Sequence, residues 1–164
     1  MRYAFLLMVL VVVANIAAAE PVKIERIDVV GSGIYVVETG EATPDADTPT
    51  GEITSQISVE NIEQTQTIPG RLGLEFGFQY IVVGSPAGGD ADLQFVHIYP
   101  EEGLKAPDRP EPLLQSAYQR TKKIGETVYL GYGFENEWEI VPGIWIFQIW
   151  HDGKKLAEQS FTIE

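Results

Sequence analysis

The chain has no cysteine, only two histidines, and eleven lysines and arginines against twenty-four aspartates and glutamates. Without cysteine there is no disulfide, no thiolate metal ligand, no thiol nucleophile and no anchor for a lipid of the bacterial lipoprotein kind. Two histidines, His97 and His151, fall short of the three or four ligands of a zinc site. Glu75 or Glu101 would have to complete such a site, and no ligand spacing is visible, so no metal or other cofactor is expected. A formal charge of −13 repels nucleic acid and anionic lipid surfaces. The basic pairs Lys122-Lys123 and Lys154-Lys155 are isolated and read as solvated turn charges.

Long apolar runs are also scarce. The one that stands out is Tyr3 to Ala14, preceded by Met1-Arg2 and followed by Ala17-Ala18-Ala19. A basic start, an apolar run shorter than the ~20 residues of a membrane span, and small residues at the cleavage positions describe a secretory signal peptide. Residues 1–19 are therefore expected to be a leader, with residues 20–164 forming one β-domain. Loss of Arg2 takes the charge from −13 to −14. A cysteine-free domain after such a leader fits the bacterial periplasm or secretion, with no membrane span after cleavage.

From Glu20 onward the chain shows alternation and turn punctuation and little helical period. Val22 to Val30 alternates apart from a slip at Glu25-Arg26 that predicts a bulge, and after a break at Gly31-Ser32-Gly33 the stretch Ile34 to Glu38 resumes. Gly40 to Glu52, rich in Pro, Thr and Asp, reads as a mobile surface loop. Ile53 to Pro69 reads as one long or two short strands. Leu72, Leu74, Phe76, Phe78 and Tyr80 alternate, which predicts a central strand from Leu72 to Tyr80. Gly73 and Gly77 on its other face predict something lying close against that face. Leu93 to Pro100 and Glu126 to Glu135 read as strands, Glu101 to Leu114 as an extended connection, and Gln115 to Gly125 as a helical turn or a strand.

The chain closes on a hairpin across His151-Asp152-Gly153, since Asp-Gly is a favoured two-residue turn. Trp145, Phe147 and Ile149 share one face of its first strand; Ile144, Ile146 and Trp150 share the other, a pattern expected of a strand buried on both sides. A two-residue turn sets Leu156 opposite Ile149 and Phe161 opposite Ile144; a three-residue turn with a bulge shifts the register by one. Roughly seven to nine strands without intervening helices predict an all-β, antiparallel, immunoglobulin-like β-sandwich.

The ending PGIWIFQIWHDGKKLAEQSFTI, together with GIY at Gly33–Tyr35, IPGRLGLEFGFQY at Ile68–Tyr80 and HIYP at His97–Pro100, resembles a bacterial family designated domain of unknown function 3859. The likeness runs from about Ile24 to Ile163. It implies an exported or envelope-associated all-β domain, and carries over no catalytic residue.

Candidate chemistry is thin. His97, flanked by Phe95 and Tyr99 on its face, reads first as a core imidazole and second as a ligand-binding group. Ser160, His97 and Asp92 assemble into a hydrolytic triad only on paper, because no strained elbow marks an activated serine. Asp45-Ala46-Asp47 and Asp90-Ala91-Asp92 could offer oxygen ligands to calcium, but neither matches a calcium loop, and solvated acidic turns are expected. Trp138, among acidic residues before Pro142-Gly143, stands at a strand end where sandwich domains present ligands. The sequence therefore points to a non-enzymatic binding module. Trp138, Trp150 and His97 are the candidate ligand-binding residues, and an envelope protein or a glycan is the expected partner. Strand addition at open sheet edges is the expected mode, with a carbohydrate-binding module as the alternative and a small hydrolase a more distant one.

Overall fold

Aromatic and branched residues at alternate positions give each strand one apolar face, and two sheets bury those faces against each other. The computed structural model describes residues 21–164, so the expected leader lies outside the described residues. The strands are β1 (Lys23–Pro44), β2 (Glu52–Glu63), β3 (Thr67–Ile68), β4 (Glu75–Ser85), β5 (Asp90–Ile98), β6 (Gln115–Lys123), β7 (Thr127–Gly133), β8 (Gly143–His151) and β9 (Lys154–Ile163), with one 3-10 turn at Glu137–Glu139. One sheet has the order β2-β1-β4-β7 and the other β3-β9-β8-β5-β6. The architecture is the expected all-β sandwich. All ladders are antiparallel except the short β3–β9 pair. No helix of the described residues is long and apolar enough to cross a membrane.

The core is mainly aromatic. Trp145, Phe147 and Ile149 of β8 point inward, as do Phe76, Phe78 and Tyr80 of β4, and Phe161 of β9. The indole N–H of Trp145 donates to Val141 O at 3.0 Å, so the largest core side chain leaves no buried donor unpaired. The other face of β8 departs from expectation. Ile144 is 60% exposed, and Gln148 bonds to Glu158 there. β8 is central within its sheet, but only one face of that sheet is covered.

The closing turn has two residues, with His151 opposite Lys154. Asp152 (φ 47°) and Gly153 (φ 72°) both adopt the left-handed conformation such turns require. A bulge one pair further in nevertheless shifts the ladder, so Ile149 faces Ala157 and Trp145 faces Phe161. The observed register thus combines the shorter turn with the shifted pairing.

β1 differs most from expectation. The slip at Glu25 is a register shift, as predicted, but the Gly31-Ser32-Gly33 stretch does not end the strand. Gly33 (φ 143°) lies where β1 leaves β4 for β2; a Cβ there would sit 2.0 Å from Glu63 O. No other residue fits so close a backbone approach. β1 pairs with β4 from Lys23 to Tyr35 and with β2 from Ile34 to Pro44, so its second half runs past the start of β4 as a two-stranded arm. Of the predicted mobile loop Gly40–Glu52, residues 40–44 and Glu52 are therefore strand, leaving residues 45–51 as the tip.

β4 begins at Glu75, and Leu72 is 50% exposed, whereas the alternation had placed it in the core. The close approach expected behind β4 is present at Gly77, where a Cβ would lie 2.9 Å from the Tyr129 hydroxyl, but not at Gly73, which sits in the turn before the strand with nothing within 4 Å. Gln115–Lys123 is a strand.

Candidate binding cleft

The arm does not stand free. Its tip returns to the second sheet, where Asp45 pairs with Arg120 of β6, and Arg109 Nη2 donates to Thr48 O at 3.1 Å. Thr48 is buried and its hydroxyl donates to Asp45 O and Glu52 O, which fixes the tip loop. Asp45 is held below its ordinary pKa chiefly by the Arg120 hydrogen bond. Between the arm, β7 and β6 lies a cleft of about 640 Å³, within the range of ligand pockets.

One wall of the cleft is β7 along its whole length, Thr127 to Gly133, and another is Glu52 to Gln56 of β2. Both strands end their sheet, so their outer edges carry no ladder. The direction of the β7 backbone groups follows from Phe134, just past the strand. Its N–H donates to Leu74 O at 3.0 Å and its carbonyl accepts from Gly73 N–H at 2.7 Å, so Phe134 faces β4. Backbone groups of successive residues point to opposite edges, and the β4–β7 register has no shift. Tyr132, Leu130 and Val128 therefore face β4, while Gly133, Gly131, Tyr129 and Thr127 aim their N–H and C=O groups outward.

The side chains around this edge are aromatic and acidic. Tyr129 lies over Gly131, where a Cβ would fall 1.9 Å from its hydroxyl, and packs against Tyr35 with ring centroids 4.7 Å apart. The Tyr129 hydroxyl donates to Glu75 Oε1 at 3.3 Å. Burial pushes the Glu75 carboxyl up to about 7; the Tyr129 hydrogen bond opposes the shift and the Glu135 charge adds to it. Glu139 is fully buried in the 3-10 turn. It accepts from Tyr132 Oη at 3.1 Å and from the N–H groups of Glu135 and Asn136 at 2.7 Å each. Burial raises its pKa as well, against those three bonds. Toward the β6 end, Lys122 lines the cleft with no ion-pair partner among the described residues, and burial lowers its pKa.

Glu75 offers a direct check. A carboxyl whose folded pKa is raised from 4.5 to about 7 is protonated in both states below pH 4.5, and above that the folded state holds the proton more tightly. Stability is therefore lost as pH rises through this window. At ~1.4 kcal/mol per unit, reduced for partial solvent access, the loss is about 2–3 kcal/mol. Glu75→Gln should match the wild type in urea unfolding at pH 4 and exceed it by that amount at pH 8. An equal difference at both pH values would contradict the assignment.

The three residues singled out from the sequence do not converge. His97 lines the cleft but is 3% exposed, its ring 4.2 Å from Phe147 and edge-on to Tyr118 and Tyr132. Its Nε2 is buried without a partner, and burial lowers its pKa to about 3, so the ring is neutral. Trp138 is half-buried against the core beside Glu139. Trp150 is at the far end of β8, on the outer face, its indole N–H donating to Gln148 Oε1 at 2.8 Å. A small pocket of about 200 Å³ lies there, lined also by Asp92, Gln94 and Gln119.

The paper triad fails for a simple reason. Ser160 follows the outward alternation of β9 and is exposed, whereas His97 points into the core, and Asp92 accepts from the Thr121 hydroxyl at 2.6 Å on the outer face. The hydroxyl opposite His97 is that of Ser116, which is engaged with Tyr99 Oη at 2.7 Å. Of the acidic turns, Asp45 is tied to Arg120 and Asp90 to Lys123.

The comparisons with known proteins agree with the fold. Residues 23–163 match the family described as Domain of unknown function (DUF3859). The chain belongs to this DUF3859 family. An immunoglobulin-like protein from Pseudomonas aeruginosa is 25% identical to this DUF3859 chain, over 90% of it and 99% of the other, with a TM-score of 0.57. A β-glucosidase from Listeria innocua, in complex with glucose, aligns at 12% identity over 80% of this chain and 16% of its own, with a TM-score of 0.34; likeness that shallow bears on neither fold nor chemistry. No curated protein matches.

Several cleft residues escaped the sequence reading. Tyr129, Gly131 and Gly133 are readable afterwards as one face of TVYLGYG, opposite the core face Val128, Leu130 and Tyr132. Tyr118, Arg120 and Lys122 are likewise one face of β6. Glu139 had no signal, because its burial depends on a turn that packs it under Tyr132.

Proposed function

We propose that this DUF3859 domain is an exported, non-enzymatic binding module that takes an extended segment of an envelope protein as an added strand along the outer edge of β7, beneath the arm. The observation that carries the reading is the cleft wall itself: seven consecutive residues of a strand whose outward N–H and C=O groups meet no other strand. Main-chain hydrogen bonds along such an edge supply affinity, and side chains at alternate positions supply selectivity. Seven residues span about 23 Å at ~3.3 Å each, long enough to register a short segment. The arm removes the usual hazard of an open edge, indiscriminate pairing, by restricting access to it. The export part of the reading rests on the basic start, the short apolar run and the small residues at Ala17 to Ala19.

A glycan role through Trp138 and Trp150 has less support, since the two indoles sit at opposite ends of β8 and form no common platform. The non-enzymatic reading is supported by the neutral, enclosed His97 with no free nucleophile beside it.

The test is selection of binders from a displayed random dodecapeptide library on the mature domain. Selected peptides are then resynthesised with N-methyl groups on alternate residues. Strand addition predicts that methylating one alternation abolishes binding and methylating the other spares it. Equal tolerance of both sets would count against the mode, and failure to enrich any sequence would count against peptide recognition altogether.

A further inference from the structure

The arm closes off the β7 edge at both ends. Tyr35, where the arm leaves β4, sits opposite Glu75, and Glu75 sits opposite Gly133, so these three residues form one cross-strand row at the base. At the tip Asp45 is tied to Arg120, three residues before the end of β6, and β6 turns into β7 at Thr127. The arm therefore runs from one sheet to the other past the edge of β7, over a cleft of about 640 Å³ that it leaves unfilled. An extended segment with both ends joined to a folded protein cannot be threaded under such a bridge. It reaches the edge sideways only when the tip lifts off β6.

Few contacts hold the tip down. Beyond Tyr35 the arm pairs only with itself, through the β1–β2 ladder. Among the described residues, Asp45–Arg120 is the one salt bridge between the arm and the second sheet, and the bond from Arg109 to Thr48 O is the one other side-chain hydrogen bond that fastens the tip. Thr48 and Pro49 are buried, and Ile53 packs against the core. The Arg120 and Asp45 side chains keep 28% and 15% of their exposure, and a pair that water reaches is of modest strength. The two sides of this contact are each built to persist when it breaks. Arg120 is held by its own bond to Gln119 O and lies over the Tyr118 ring, 4.8 Å from the centroid. On the arm, the Thr48 hydroxyl bonds to Asp45 O and Glu52 O, so Asp45 moves with the tip as one body. Between base and tip, a bulge interrupts the ladder from Thr39 to Ala42, where pairing is locally broken and the strand bends.

From an arm tied at both ends of an unladdered strand edge and bulged between them, we infer that the arm is a strap: its tip leaves Arg120 to admit a segment to β7, then closes again over the bound segment. This rests on the strand-addition reading and concerns how that same site is entered and left. The Asp45–Arg120 pair is the catch, and the fraction of molecules with the catch open sets the rate of entry. Because the same catch closes over the free and the occupied cleft, it slows entry and escape together and has little effect on affinity.

The experiment measures association and dissociation rates of a dodecapeptide selected on the wild-type domain, inserted into a surface loop of a folded carrier so that neither end is free. Three proteins are compared: wild type, Asp45→Asn, and the exchanged pair Asp45→Arg with Arg120→Asp. On Asp45→Asn both rates should rise at least fivefold while Kd changes less than threefold, and the exchanged pair should return both rates to within twofold of wild type. Spin labels at Asp47→Cys and Gln119→Cys, both exposed positions in a chain without cysteine, follow the tip independently of any ligand. They should report one short distance with Asp45 in place and an added longer population in Asp45→Asn. A tip that stays seated in Asp45→Asn would show that the ion pair is not the catch and overturn the inference. Released tips with unchanged rates, or weaker binding without faster rates, would also overturn it and leave strand addition standing. So would a wild-type domain that binds the free peptide and refuses the carrier-borne one. No binding of the free peptide would overturn both readings.

Discussion

Replacing His97 with phenylalanine should leave the domain near wild-type stability at pH 7 and make it about 3 kcal/mol more stable than wild type at pH 4. His97 is enclosed and its folded pKa is lowered to about 3, from 6.5, because burial disfavours the imidazolium. Above pH 6.5 the ring is neutral in both states and contributes no pH dependence. Below it the unfolded chain binds a proton that the folded protein refuses, so stability falls by ~1.4 kcal/mol per pH unit until pH reaches about 3. Phenylalanine has no such proton to bind. It also removes the unpaired Nε2, a gain of ~1–3 kcal/mol, set against ~1–3 kcal/mol for a ring with no spare room beside Phe147. Urea midpoints for the two proteins from pH 3.5 to 8 measure the divergence. Parallel curves would show that His97 titrates normally, and hence that it is reached by water.

The slope from His97 is opposed by that from Glu75, which lies on the other face of the β4–β7 sheet. Between pH 4.5 and 6.5 acidification costs stability at His97 and restores it at Glu75. The two single variants should tilt the profile in opposite senses over this window.

Phe76→Ala should cost about 3–5 kcal/mol, the range for deleting an enclosed aromatic ring. Phe76 has no exposed surface, and its ring centroid lies within 6.5 Å of those of Tyr132, Phe134, Trp145, Phe147 and Phe161. It joins β4 and β7 of one sheet to β8 and β9 of the other, so the cavity would open at the meeting point of both sheets. Against the ~5–15 kcal/mol typical of whole domains, this loss is a large share. Leu72→Ala, four residues earlier on the same apparent stripe, should cost less than about 1 kcal/mol because Leu72 is half exposed and lies outside β4. Chemical denaturation of the two variants decides the point, and similar losses would mean that the stripe is one continuous core strand.

The contrast between Leu72 and Phe76 shows where sequence reading is strong and where it stops. Alternation identified which face of each strand is apolar, and Phe76, Phe78, Tyr80, Trp145, Phe147 and Ile149 all lie inside. It could not say where pairing begins, because β4 starts only where β1 and β7 lie on both sides of it, at Glu75. The closing turn was legible from Asp152-Gly153, but the register also depends on a bulge at Leu156 that leaves no local signature. The arm was hidden for a different reason. Its residues from Gly40 to Pro44 lack large apolar side chains and resemble a loop, and their strand conformation comes from pairing with β2 and from Asp45 gripping Arg120, seventy-five positions away. The cleft inherits that invisibility, since its walls are brought together by the arm and its chemistry sits on the strand faces turned away from the densest packing.

Amide hydrogen exchange on β7, with and without a selected dodecapeptide, measures the central claim most directly. In the free domain the outward N–H groups of Tyr129 and Gly131 carry no ladder and should exchange far faster than those of Leu130 and Tyr132, which face β4. Saturating peptide should slow Tyr129 and Gly131 by at least a hundredfold while barely changing their neighbours. Binding that leaves those two amides as fast as before would place the ligand elsewhere and contradict strand addition at this edge.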